Sequence, residues 1–230
     1  MNKEIFGELK RFSTVDYPSK LTSVIYFKSC NLACSYCYNL KTLRDSKGYT
    51  MEDMINDIKV YNDRFPNILD GITISGGEPA LYPEEVSILM KRIKEIGNYK
   101  IKVDTNGTSP EFIRNIIKEG IDFIAMDYKT YRYMSNLAVE DSIINESLDI
   151  IAKSNIKNEI RITLYPGYID TTTFVDMMFN LKAKGFTKVT LQKFLNENVF
   201  HNNGILPFSE DEINYYVDKA KQMGFEVILR

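Results

Sequence analysis

The sequence predicts an α/β fold, which we interpret as a partial, open (βα)6 barrel. Short runs rich in β-branched residues alternate with helical patterns along the chain. The centres of these runs are almost continuously apolar, which is typical of parallel strands buried on both faces. Six strand–helix units fall short of the eight in a complete barrel. The alternative fold is a doubly wound sheet. In either fold the chemistry is expected at the carboxyl ends of the strands.

The strand predictions rest on these apolar runs and on the polar residues that interrupt them. Alternation of strand and helix implies right-handed crossovers and a parallel sheet covered by helices. The predicted strands are Thr22–Phe27, Gly71–Ser75, Lys100–Asp104, Phe123–Asp127, Glu159–Leu164, Lys188–Gln192 and Glu226–Leu229.

The helices between the strands carry start and stop signals. Thr50 can cap a helix whose first turn is acidic. Ser109 is followed by proline and glutamate, which favour a helix start, and Gly120 is a suitable stop for that helix. Pro83 and Ser209 mark the starts of two further helices.

Composition excludes some classes of partner. Lys and Arg number 29 and Asp and Glu number 31, so the formal charge is 29 − 31 = −2. No strong field therefore draws the protein to nucleic acid or to a membrane surface. The N-terminal residues have no apolar signal-peptide core, and no apolar run approaches the ~20 residues of a membrane span. We expect a cytosolic protein whose residues 1–230 form a single domain, with residues 1–20 an extension leading into the first barrel strand.

Three cysteines lie in the loop after the first predicted strand. Cys30, Cys34 and Cys37 are the only cysteines of the chain, and an odd number cannot form a complete set of disulfides. Clustered thiols in such a loop indicate a metal centre, and three thiolates leave one iron of a four-iron cluster without a protein ligand. The alternative is a zinc site that includes the single histidine, His201.

Polar motifs also follow the next predicted strands. Gly76, Gly77 and Glu78 end the second strand, where bare backbone allows a ligand to approach and a carboxylate can accept from an ammonium group. The segment 104–107 (Asp-Thr-Asn-Gly) ends the third strand and is either a ligand site or a turn with a helix cap.

The fourth and fifth strands add charged residues. Asp127 is either an ion-pair partner of Lys129 or part of a ligand or cation site. Arg161 lies in a buried strand and requires a carboxylate, which could come from a ligand, from Glu159 or from an aspartate. Gln192 is a further candidate pocket residue. The aromatic segments near 128–133 and 194–200 either pack within the protein or face a partner, and packing is the favoured interpretation.

The cysteine motif resembles the signature of the radical S-adenosylmethionine superfamily. That resemblance implies a 4Fe–4S cluster on the three cysteines, with S-adenosylmethionine bound through its amino and carboxylate groups to the fourth iron. Tyr36 matches the position whose backbone meets the adenine, and Gly76, Gly77 and Glu78 resemble the motif that binds the methionine amino group. The implied reaction is reductive cleavage to methionine and a 5′-deoxyadenosyl radical.

A narrower resemblance extends from about Phe6 to Gly167. The segments 15–20, 76–79, 103–107 and 125–129, in this order, resemble the activating proteins of glycyl radical enzymes, above all that of anaerobic ribonucleoside-triphosphate reductase. Departures are Tyr38, where the family usually has histidine, and Ser19, where it usually has glycine. The resemblance implies an anaerobic oxidoreductase that receives its electron from a donor such as flavodoxin or ferredoxin. The residues it implies near S-adenosylmethionine are Asp104, Thr105, Asn106, Lys129 and Arg161, and those near a monovalent cation are Asp104, Thr105, the Ala125 carbonyl and Asp127.

Three functions are compatible with these motifs. The favoured one is a glycyl radical enzyme activase that acts on anaerobic ribonucleotide reductase. The second is a radical enzyme that converts a small molecule, such as a deazapurine precursor in the manner of 7-carboxy-7-deazaguanine synthase. The third is a metal-stabilised binding protein without catalysis.

Overall fold

The computed structural model describes residues 3–39, 47–130, 133, 139–196 and 204–230. Its strands confirm all seven predicted segments, some of which are longer by one or two residues, and add a strand that was not predicted. The strands of the described residues are β1 (Phe6–Ser13), β2 (Thr22–Phe27), β3 (Gly71–Gly76), β4 (Lys100–Thr105), β5 (Phe123–Asp127), β6 (Lys157–Leu164), β7 (Lys188–Lys193) and β8 (Glu226–Leu229).

Helices follow most of these strands. The four helix starts predicted at Thr50, Pro83, Ser109 and Ser209 are confirmed, and a short 3₁₀ turn, Pro79–Leu81, lies just after β3. The helices of the described residues are α1 (Met51–Arg64), α2 (Pro83–Ile96), α3 (Pro110–Lys118), α4 (Asp141–Lys153), α5 (Thr171–Ala183) and α6 (Glu210–Gln222). None of them is long and apolar enough to cross a membrane.

The strand order identifies the fold class. The strands follow one another in the sheet as they do in the chain, from β1 to β8. β1 pairs antiparallel with β2, whereas β2–β3, β3–β4, β6–β7 and β7–β8 are parallel. A doubly wound sheet requires a reversal in strand order, and this sheet has none. The prediction of a mostly parallel α/β fold of the partial-barrel type is therefore confirmed.

Contacts within the chain define two compact units. The first unit comprises Met1–Ala33, Asn39–Thr105 and Asn115–Ile124, and the second comprises Cys34–Tyr38, Asn106–Arg114 and Ala125–Arg230. Each has its own apolar core, built from β-branched strand residues and the inner faces of helices. Fully buried side chains include Val24, Ile25, Phe27, Ile72, Ile74 and Leu89 in the first unit and Leu148, Phe174, Met178, Val189 and Leu191 in the second. The single domain over residues 1–230 stays a prediction.

Helix α1 begins with a reciprocal cap. The Thr50 hydroxyl accepts from the Asp53 backbone N–H at 3.2 Å, and the Asp53 carboxylate accepts from the Thr50 N–H at 2.8 Å. Because both caps satisfy donors that the helix leaves open, Thr50→Ala is expected to lower the free energy of unfolding by about 1 kcal/mol, measured by chemical denaturation. Thr172→Ala, in the first turn of α5 but not at its cap, is the control and should leave it almost unchanged. Equal losses for the two variants would contradict the capping role.

Candidate functional site

The cysteine loop begins three residues after β2. None of the three cysteines is in a disulfide, and all three are partly exposed. The Leu32 N–H donates to the Cys30 sulfur at 3.4 Å, and the Cys37 N–H donates to the Cys34 carbonyl at 3.0 Å, which closes a turn between the last two cysteines. The loop therefore presents three thiols without a disulfide.

The donor set of this loop fits a four-iron cluster better than a zinc ion. Within the described ranges, no three side chains of Cys, His, Asp or Glu converge on a point where they could hold a single metal ion. Cysteines that bind an iron–sulfur cluster each ligate a different iron, so they need not converge on one atom. A zinc site with four cysteines is excluded by the count of three. His201, the remaining candidate zinc ligand, lies outside the described residues.

The Gly-Gly-Glu segment at the end of β3 is attached to the start of the cysteine loop. The Gly77 N–H donates to the Phe27 carbonyl at 2.8 Å, and the Glu78 N–H donates to the Ser29 carbonyl at 2.7 Å. Gly76 has a φ of +108°, and a Cβ there would lie 2.3 Å from the Phe27 nitrogen. Only glycine fits this position, because any side chain would push the strands apart. The Asn39 side chain donates to the Gly76 carbonyl at 2.7 Å and anchors the far end of the same loop.

The Glu78 carboxylate is buried at the carboxyl ends of β3 and β4. Its side chain is held in place on one oxygen, Oε1, which accepts from the Thr105 hydroxyl at 2.8 Å and from the Ala80 N–H at 3.1 Å. The residue is only 1% exposed. A carboxylate removed from water in this way is a strong partner for a cationic amino group.

A second acid of the first unit, Asp104, is paired with a buried lysine. Lys102, two residues earlier on β4, forms an ion pair with Asp104 Oδ1, and the Ser75 hydroxyl donates to Oδ2 at 2.8 Å. Burial raises the pKa of the nearby Tyr26 hydroxyl, and the charge of Asp104 adds to that increase. Sequence analysis did not identify Lys102. The available signal was an alternation of charged residues within an otherwise β-branched central strand.

Asn106 belongs to the 104–107 segment and is the first residue of that segment in the second unit, where its side chain stabilises a turn. Its side-chain oxygen accepts from the Thr108 N–H at 3.0 Å and from the Thr108 hydroxyl at 2.7 Å. Gly107 follows with a φ of +76°, and a Cβ there would overlap Met126. These contacts favour the interpretation of Asn106 as a turn residue at the start of α3, one of the two left open by the sequence.

Asp127, at the end of β5, supplies the carboxylate that Arg161 requires. The Arg161 Nε donates to Asp127 Oδ1 at 2.7 Å, and the Lys129 ammonium lies 3.7 Å from Oδ2. Glu159, the other protein candidate, instead accepts from the Thr190 hydroxyl at 2.7 Å and pairs with Arg230 at 3.0 Å. The pairing of Asp127 with Lys129, one of the two alternatives left open by the sequence, is therefore present, together with a shorter pairing to Arg161.

Tyr36 belongs to a tyrosine cluster within the second unit. Its ring centroid lies 5.0 Å from that of Tyr165 and 6.1 Å from that of Tyr133, and the Lys129 ammonium is 5.9 Å from the Tyr36 ring. Burial raises the pKa of Tyr36, while Lys129 acts in the opposite direction. The Tyr133 pKa is raised mainly by burial and next by Cys34. These hydroxyls therefore stay protonated at neutral pH.

Other aromatic residues of the second unit pack within the protein, which is the interpretation that the sequence analysis favoured. Tyr128 and Phe194 are buried, and Phe194 packs edge-on against Tyr165 with ring centroids 4.8 Å apart. Tyr131 and residues 197–200 lie outside the described residues. Tyr38, the departure from the family's usual histidine, accepts from the Leu195 N–H through its hydroxyl at 2.6 Å. Its hydroxyl thus has a structural partner in this chain.

Comparison with known proteins agrees with these motifs. The profile of the Radical SAM superfamily matches residues 24–179. The predicted glycyl-radical enzyme activating enzyme MJ1227 of Methanocaldococcus jannaschii is 34% identical over 78% of this chain and 76% of its own length. The pyruvate formate-lyase-activating enzyme of Clostridium pasteurianum is 25% identical over 96% of this chain and 95% of its own. Among solved structures, a radical SAM methyltransferase from Sphaerobacter thermophilus shares the fold, with a TM-score of 0.71 and 18% identity over 93% of this chain and 67% of its own. The chain belongs to the radical S-adenosylmethionine superfamily.

Proposed function

We propose that this protein is an activating enzyme that uses S-adenosylmethionine to generate a glycyl radical on a partner protein. The observation that carries the proposal is the attachment of the Gly-Gly-Glu segment to the start of the cysteine loop, through the backbone bonds of Gly77 to Phe27 and of Glu78 to Ser29. This attachment supports a metal centre and a carboxylate acceptor built at one edge of the sheet. The relatives that cover most of this chain are named as activating enzymes of this class, which supports the same function.

In this proposal Cys30, Cys34 and Cys37 hold a 4Fe–4S cluster. When bound, the cluster supplies the electron for reductive cleavage of S-adenosylmethionine to methionine and a 5′-deoxyadenosyl radical, which can remove a hydrogen atom from glycine. Glu78 accepts from the methionine ammonium group, and the backbone of Tyr36 meets the adenine. An external donor such as a flavodoxin or ferredoxin delivers the electron.

Within the second unit, Arg161 and Lys129 would serve the carboxylate of S-adenosylmethionine. A guanidinium carries five N–H donors in one plane, and the bond from Nε to Asp127 fixes the orientation of that plane. Lys129 is buried, and there a cation attracts a carboxylate more strongly than it would in water. The protein's contribution in this unit is thus orientation and charge neutralisation.

The proposed partner is anaerobic ribonucleoside-triphosphate reductase, because the order of motifs in residues 15–129 resembles its activating protein. Mixing the reduced enzyme and S-adenosylmethionine with this reductase under anaerobic conditions is expected to give a glycyl doublet in the electron paramagnetic resonance spectrum. A reductase whose radical-bearing glycine is replaced by alanine serves as the control and should give no doublet.

Pyruvate formate-lyase is the informative second partner, since the Clostridium pasteurianum relative carries its name. A doublet with this enzyme alone would reassign the partner and keep the activase function. No doublet with either enzyme, while 5′-deoxyadenosine still forms, would rule out both proposed partners and favour a small-molecule substrate.

A further inference from the structure

The first unit contains a lysine that is buried within a central strand. Lys102 is 1% exposed and lies on β4, with β3 as its parallel neighbour through the pairing of Thr73 with Lys102. Burying an ammonium group is unfavourable unless it is paired and hydrogen-bonded. Its ion-pair partner is Asp104, two residues later on the same face of the strand.

The two oxygens of Asp104 are both engaged within this unit. Lys102 contacts Oδ1, and the Ser75 hydroxyl donates to Oδ2 at 2.8 Å. Ser75 and Asp104 stand at the ends of neighbouring strands, so the carboxylate is held by an ammonium group of its own strand and by a hydroxyl of the next strand. A metal cation bound to the same carboxylate would be repelled by the ammonium already there.

The other carboxylate of the implied cation site is also paired. Asp127 contacts Arg161 at 2.7 Å through one oxygen and Lys129 at 3.7 Å through the other. The resemblance to glycyl radical activases implies that Asp104 and Asp127 hold a monovalent cation. Each of these carboxylates is already paired with a cationic side chain of its own unit, so neither fits as a ligand of such an ion.

We propose that Lys102 is a built-in counter-cation: its ammonium group neutralises Asp104 in place of a bound monovalent cation. Lys102 is then a positioning residue, which acts through Asp104 on the cofactor site proposed at the end of β4. This inference rests on the proposed S-adenosylmethionine pocket. It predicts an enzyme whose cofactor binding is independent of potassium and sodium.

The test on the unaltered protein compares two cations at constant ionic strength. The reconstituted enzyme is assayed in potassium chloride and in the chloride of N-methylglucamine, a cation too large for a protein cation site. S-adenosylmethionine affinity is expected to change by less than about twofold, since the screening of surface charges is the same in both salts. A saturable increase of affinity with potassium or sodium would overturn the proposal.

Variants test whether Lys102 is the reason that S-adenosylmethionine binding does not depend on potassium. Lys102→Ala removes the cation that neutralises the Asp104 carboxylate, and the shorter side chain leaves space beside that carboxylate. Potassium is therefore expected to raise the S-adenosylmethionine affinity of this variant about tenfold, in line with the effect of an opposite charge next to a carboxylate. The midpoint of thermal unfolding should rise with potassium as well. A purely structural lysine would lower that midpoint equally in both salts, and such a result would contradict the proposal.

Two further variants keep the test decisive. Lys100 lies on the same strand, but its side chain is exposed and pairs with Asp122. The Lys100→Met variant should therefore show no response to potassium. Lys102→Met combined with Asp104→Asn removes both charges and should fold without a potassium response, since no carboxylate is left to neutralise. A potassium response in this double variant would place the cation elsewhere and overturn the inference. The midpoint of thermal unfolding can be measured without enzymatic turnover. If the protein had no radical activity, the proposed function would be refuted, but the potassium response of the Lys102→Ala midpoint would still decide the inference about Lys102.

Discussion

Cys34→Ala is expected to abolish both cluster binding and cleavage of S-adenosylmethionine. The chain has three cysteines, so no other thiolate can take the place of the missing ligand. The turn in this part of the loop uses the backbone carbonyl of Cys34, which accepts from the Cys37 N–H, and alanine retains that carbonyl. The loss will therefore report on the thiolate rather than on the loop. Iron and sulfide content after anaerobic reconstitution and 5′-deoxyadenosine formed with dithionite measure it.

Two controls accompany this variant. Ser35 is the next residue, and its buried hydroxyl has no hydrogen-bond partner among the described residues. Ser35→Ala is thus expected to bind the cluster as the unaltered protein does. His201→Ala is also expected to keep its iron. Loss of metal from His201→Ala would favour the zinc interpretation, and a stable cluster in Cys34→Ala would refute the proposed ligand set.

The parallel strands could be predicted because each carries a continuous buried run of its own. β1 could not be predicted in this way. Its residues include Glu8, Lys10 and Arg11, and as the first strand of the sheet it has one neighbouring strand, β2, among the described residues. An edge strand with one paired side tolerates charges that a central strand excludes. Its pattern therefore resembles that of an exposed extension.

The candidate site could be predicted where its residues are neighbours in the chain. Gly76, Gly77 and Glu78 form one motif at a strand end, and the motif is visible without knowledge of the register. The partner of Arg161 was left open, because Asp127 is 34 residues earlier and only the folded structure brings the two together.

Lys102 was missed for a related reason. Its neighbours Ile101 and Val103 are fully buried, and so is Lys102 itself. The charged residues at 100, 102 and 104 alternate with apolar ones, but this pattern alone does not distinguish an exposed lysine from a buried one. The ion pair with Asp104 and the hydrogen bond from Ser75 to Asp104 become apparent only once β3 and β4 are aligned.

Glu78→Gln is expected to weaken S-adenosylmethionine binding while the cluster is retained. Glutamine is similar in shape, and its side-chain oxygen can still accept from the Thr105 hydroxyl and from the Ala80 N–H. The substitution therefore removes the charge that would attract the methionine ammonium group and leaves the local structure in place. A hydrogen bond to a charged group contributes about 1.5–3 kcal/mol, so affinity should fall about 10- to 100-fold. Equilibrium dialysis of the reconstituted protein measures this loss.

Thr105→Val separates the charge of Glu78 from its positioning. Valine removes the hydroxyl that donates to Glu78 at 2.8 Å but keeps the carboxylate, so the loss acts on S-adenosylmethionine only through the position of Glu78 and affinity should fall by only about 2- to 10-fold. Glu52→Gln, an exposed carboxylate paired with Arg92, is the control for a general loss of negative charge and should bind normally. Unchanged affinity in Glu78→Gln would exclude Glu78 as the ammonium acceptor. If Thr105→Val lost more S-adenosylmethionine affinity than Glu78→Gln, the position of the Glu78 side chain would matter more for binding than its charge.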